Sequence, residues 1–147
     1  MKNVLFIVYY FPPLGGSGVQ RPLKFIKYLR EFGWNPVVIC PEPGAYPYYD
    51  DSLLEELENL SIEVHRTKAN TPFHMPFLKE RKLILSERLA ETGRRLSKLF
   101  MYPDNKKGWI EPAVKKATEL AQTHDFDVIF STAPPFSDHL VASELKE

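Results

Sequence analysis

The chain has one cysteine, Cys40, so no disulfide can close within it. Set at the end of an apolar run, that thiol reads as a small buried hydrophobe in a reducing compartment. Long apolar stretches are missing too. The longest, Val4 to Phe11, falls far short of the ~18 residues a membrane-spanning helix requires. Because "MKN" leads directly into that run, no secretory leader is expected, and the location expected is cytoplasmic. There is no net charge either: 19 Lys or Arg balance 19 Asp or Glu, which argues against a dedicated nucleic-acid binder. No Gly-Lys-Ser/Thr occurs, excluding a P-loop. No H-E-x-x-H and no Cys/His cluster occurs, and His65 and His74 are separated by residues that cannot ligate, so no metal site is expected.

What is present is an ordinary globular composition. A chain of 147 residues, 44% hydrophobic and 26% charged, can bury one core, so 1–147 is read as a single domain. "NVLFIV" reads as a buried strand, short, β-branched and aromatic. Beyond a Pro/Gly loop, Val19, Leu23, Phe25, Ile26, Leu29 and Phe32 recur at helical spacing, with Arg21, Lys24, Lys27 and Arg30 on another face. That predicts an amphipathic helix over 19–32, stopped by Gly33. "NPVVIC" is a second strand, "PEPGAYPYY" a loop, 52–60 a short acidic helix and "SIEVHR" a third strand. "TPFHMPF" is irregular, and a long polar helix is expected over 78–99. "MYPDNKKG" then breaks the chain, a helix over 111–123 has Pro112 in its first turn, and "FDVIFST" is a fourth strand. A last helix begins near Ser137 and is still running at the final residue, so the chain is expected to be a truncated domain. Alternating strands and helices imply parallel pairing with right-handed crossovers, that is, an α/β Rossmann-like doubly wound sheet.

The charges are unevenly placed: Lys79 to Lys107 holds nine Lys or Arg against four acids, while Asp50 to Glu63 holds six acids and no base. The basic stretch reads as a solvent-exposed helix face; the other use open to it is peripheral contact with anionic lipid at the inner membrane surface.

Ligands of such sheets bind beyond the carboxyl ends of the strands, which selects the loops "YYFPPLGGSG" and "STAPPFSDH". Each precedes a helix whose unpaired N–H groups and partial positive charge suit an anion. Gly15, Gly16 and Gly18 let a phosphate approach the first loop, and Arg21, in the first turn of its helix, adds a fixed charge. The dinucleotide fingerprint fits poorly: Arg21 stands where the third glycine belongs, and Glu42 is a weak ribose partner. In the second loop Ser137 is placed as N-cap, Asp138 as a helix-dipole partner, and His139 as an imidazole able to donate or accept a hydrogen bond. Asp104, Lys106, Lys107 and Trp109 form a polar-aromatic knot, read as a solvated turn with an anchoring tryptophan, or else as part of an acceptor cleft.

Two blocks carry a resemblance: "YYFPPLGGSGVQRPLKFIKYLREFGWNPVV" at the front, and "PDNKKGWIEPA" with "DVIFSTAPPFSDHLVA" at the back. They resemble the N-terminal half of bacterial GT-B glycosyltransferases of the family-4 retaining type. Residues 51–100 contribute little to the likeness. The resemblance implies an acceptor-side domain facing a second, donor-binding domain, here missing. It implies transfer of a sugar from a nucleotide sugar, used as co-substrate with no other cofactor, to a saccharide or lipid-linked acceptor. Gly15 and Gly16 would lie near the donor diphosphate or an acceptor phosphate, and His139 near the transferred sugar as the catalytic residue. Ser137 and Arg21 would be cleft residues. Glu111 and Glu119 have the E-x7-E spacing of the family's donor site, but fall on a first-domain helix and are read as coincidence. On this reading the chain alone does not turn over. The glycine loop alone equally permits a noncatalytic nucleotide- or phosphate-binding module.

Overall fold

The first strand carries four consecutive apolar residues, Val4 to Ile7. In β1 (Lys2–Ile7) burial deepens from an exposed Lys2 to a fully enclosed Ile7. A run of consecutive apolar residues cannot face water on either side, and β1 is covered on both. The computed structural model describes residues 1–44, 48–70 and 104–146. The expected helix over 78–99, the "TPFHMPF" segment and His74 lie outside them.

The described chain runs β1, α1 (Ser17–Glu31), β2 (Trp34–Pro41), α2 (Asp51–Asn59), β3 (Glu63–Thr67), a 3₁₀ turn (Lys107–Trp109), α3 (Ile110–Ala121), β4 (Val128–Ser131) and α4 (Ser137–Glu144). Four strands form one parallel sheet in the order β3-β2-β1-β4. Val4 stands opposite Pro36 on one side and Val128 on the other. Val38 stands opposite Val64.

Alternation along β1 and β2 divides the core in two. Val4, Phe6, Val38 and Cys40 pack against Val19, Leu23 and Ile26 of α1 and Leu53 and Leu57 of α2. Leu5, Ile7, Val37 and Ile39 pack on the other face against Ala113, Ala117 and Leu120 of α3 and Val141 of α4. Helices on both faces of a parallel four-stranded sheet make this an α/β fold, compatible with a Rossmann-like one. Each fully enclosed Ile, Leu or Phe contributes about 1.5–3 kcal/mol through burial.

Several boundaries move for local reasons. Asp50 caps α2, its Oδ1 accepting from Ser52 N at 3.0 Å and Leu53 N at 3.3 Å, so the helix begins one residue earlier than expected. Ser61 takes φ 48° as the chain leaves α2, which delays the third strand to Glu63. The basic stripe of α1 is occupied: Lys24 and Lys27 pair with Glu56 of α2, and Arg30 donates to Leu60 O. Among the described residues no helix is long and apolar enough to cross a membrane.

Candidate functional site

Strand order reverses between β1 and β4, and the loops that leave these two strands lie side by side at their carboxyl ends. After β1 the chain stays extended: Val8 N–H donates to Ile39 O at 3.1 Å and Tyr9 N–H to Asp138 Oδ2 at 3.0 Å. It then runs antiparallel to residues 48–50. Gly15 N–H donates to Tyr48 O at 2.8 Å and Asp50 N–H to Pro13 O at 3.0 Å.

Gly16 turns this ribbon into α1. Its φ of 103° with ψ 169° lies in a region essentially open to glycine alone, and its carbonyl accepts from Val19 and Gln20. The N–H groups of Gly16, Ser17 and Gly18 have no acceptor among the described residues. No acid stands in the first turn of α1, so the positive end of its dipole is not neutralised there. These amides border a cleft of about 550 Å³, with Tyr10, Tyr48, Pro134 and Arg21 among its walls.

Arg21 closes one side of the cleft. Its Nη2 donates to Thr132 Oγ1 at 2.6 Å and to Ala133 O at 2.5 Å, tying α1 to the loop after β4. His139 is exposed, its Nδ1 lies 2.7 Å from Ser131 Oγ, and the Phe136 ring approaches edge-on at 6.4 Å between centroids. Pro134 carries the second loop into the cleft; His139 is not among the lining residues.

The structure corrects several expectations and refines others. Gly15 lines the cleft, with its amide taken by Tyr48 O. Gly18 and Arg21 are the second and fifth residues of α1, which starts at Ser17, so Gly18 belongs to the helix and Arg21 to its second turn. Ser137 is not an N-cap: it is the first residue of α4, fully buried, and its N–H and hydroxyl both donate to Asp104. The Asp104 carboxylate therefore occupies the α4 N terminus, leaving α1 as the free anion-facing helix end. Asp138 stands in the first turn of α4, where a helix-dipole partner is expected, but it is buried and its Oδ1 has no hydrogen-bond partner among the described residues. Burial drives its pKa well above the usual carboxylate range; Tyr9 N–H opposes that shift and the nearby Asp104 adds to it.

The 104–109 knot is likewise not a solvated turn. Lys106 is 2% exposed, with Nζ 5.2 Å from the Tyr9 ring centroid, and burial pulls its pKa down to about 8 against the attraction of Asp104. Trp109 is the expected anchor: it is fully buried and its Nε1 donates to Thr67 Oγ1 at 2.7 Å. Cys40 is buried, and desolvation pushes its thiol up to about 12 despite Arg66 nearby, so it is no nucleophile. Among the described residues no three His, Cys, Asp or Glu side chains are grouped to hold a metal.

Sequence reading did not pick out Tyr10, Tyr48 and Thr132. Tyr10 and Thr132 follow strand ends and could have been signalled by that position; Tyr48, just before α2, carries no such signal, since a contact made across distant loops leaves no periodic trace. Searches of family models, curated proteins and solved structures found no match to this chain.

Proposed function

We propose that this chain is the acceptor-side domain of a retaining glycosyltransferase. On this reading it moves a sugar from a nucleotide-sugar donor to a saccharide or lipid-linked acceptor, at or near the cytoplasmic membrane face. The observation that carries the proposal is the cleft at the strand-order reversal, where three unengaged amides at Gly16, Ser17 and Gly18 face open space beside Arg21. That chemistry suits a phosphate or diphosphate. The front and back motifs that resemble family-4 transferases supply the reaction class.

In this assignment the α1 amides and dipole stabilise negative charge as the diphosphate departs. Arg21 holds the two loops at a fixed spacing. Tyr10 and Tyr48 offer flat apolar faces on which a ring can lie. With Nδ1 engaged by Ser131, His139 has Nε2 left to bond a sugar hydroxyl. A second reading, a noncatalytic phosphate-binding module, is favoured by one feature: the cleft lining contains neither a carboxylate nor an imidazole.

Sugar transfer and hydrolysis, measured with a panel of UDP- and GDP-sugars for the intact gene product beside this chain, decide between them. Transfer by the intact product, lowered about tenfold or more by His139→Ala at an unchanged melting temperature, supports the transferase. Binding without transfer across varied acceptors supports the module.

A further inference from the structure

Among the described residues, the loop before α4 holds the helix start through one backbone carbonyl only: Phe136 O accepts from His139 N at 3.0 Å and from Leu140 N at 3.4 Å. The linking residues 132–136 include Pro134 and Pro135, which donate no backbone hydrogen bond. No side chain of the loop caps the helix. The cap is instead supplied from elsewhere in the chain. Asp104 Oδ2 accepts Ser137 N–H at 2.9 Å, while Oδ1 accepts the Ser137 hydroxyl at 2.6 Å and Lys106 N–H at 2.8 Å. Both carboxylate oxygens are used, and two of the three bonds go to one fully buried serine.

Two further ties surround this one. Asp138 binds Tyr9 N–H, joining α4 to the loop after β1, and Arg21 binds Thr132 and Ala133, joining α1 to the loop after β4. His139 lies two residues beyond Ser137 and rests its ring on Ser131, the last residue of β4. Where that imidazole stands relative to the cleft therefore depends on where α4 begins, and Asp104 sets that point.

We infer that Asp104 is a positioning residue: by holding Ser137 it fixes the α4 N terminus, and with it the placement of His139 and the 132–136 loop beside the cleft. The inference rests on the cleft's proposed role for its functional meaning, but it is read out independently of that role. Asp104→Asn keeps the size of the side chain and replaces one acceptor oxygen by an NH₂ group. In the folded variant the ring-nitrogen resonances of His139 are expected to shift and lose the signature of the Ser131 bond. Binding of inorganic pyrophosphate, followed by titration, is expected to weaken about tenfold. If Asp104→Asn does not fold, Ser137→Ala, which removes one of the three bonds, is expected to show the same shift at smaller amplitude. His139 resonances that stay in place in either folded variant overturn the inference. Resonances that move, in a chain whose wild type binds no pyrophosphate, uphold it and overturn the cleft assignment instead.

Discussion

At the scale of single residues, the informative groups are those whose environment opposes their usual charge. The folded pKa of Asp138 is raised, so its contribution to stability is fully present below the unfolded carboxylate value and is lost as pH rises through the folded one. Asp138→Asn keeps an oxygen for Tyr9 N–H and removes the titration. Urea midpoints from pH 4 to 9 should show the variant gaining on the wild type as pH rises; parallel profiles would contradict burial as the cause. Lys106 runs the other way. Its folded pKa is lowered to about 8, so its contribution is present above the unfolded lysine value and lost as pH falls through about 8. Lys106→Met should therefore stabilise the protein at neutral pH, by up to ~3 kcal/mol less what is lost with the Asp104 attraction and the Tyr9 ring contact. Equal unfolding free energies at pH 7 would count against it. Gly16→Ala forces a side chain into the φ 103° turn and should cost about 1–3 kcal/mol in chemical denaturation, although its Cβ would meet nothing within 4 Å.

At the scale of elements, the 3₁₀ turn docks by backbone contact. Asn70 N–H donates to Gly108 O at 3.2 Å, and a Cβ on Gly108 would sit 2.0 Å from Asn70 O. Gly108→Ala should loosen the 3₁₀ turn from the end of β3 at a cost of about 1–3 kcal/mol, visible as a lowered denaturation midpoint and as faster amide exchange at Trp109. A variant as stable as the wild type would mean that this approach is easily relaxed. Such elements show what a sequence discloses. The four strands and the helices that follow the two loops were legible because apolar runs and helical spacing are local signals, and the two loops followed from the parallel-sheet rule. Ser137 was misread because its true partner, Asp104, lies 33 residues away. A serine before a helix looks the same whether it caps or is itself held. Lys106 was misread for a similar reason: burial is decided by what Tyr9 and the sheet bring to it, not by its polar neighbours in sequence.

At the scale of the whole molecule, the cleft gathers parts from three stretches of chain: the α1 start, Tyr48 and Pro134. A ligand spanning them opposes global unfolding. Pyrophosphate at a hundred times its Kd should raise the unfolding free energy by about 2.7 kcal/mol, and the increment should vanish in Gly16→Ala. No increment at saturation would remove the anion assignment. The strand order has a further effect, on assembly during synthesis. β1 pairs with β2 early, through Val4 and Pro36, but its other neighbour β4 arrives only with Val128. At ribosomal speeds of ~5–20 residues per second, the middle strand waits on the order of ten seconds with one edge bare. Throughout that interval the nascent chain carries an open, apolar β edge, and β4 is the strand that shields it from other chains.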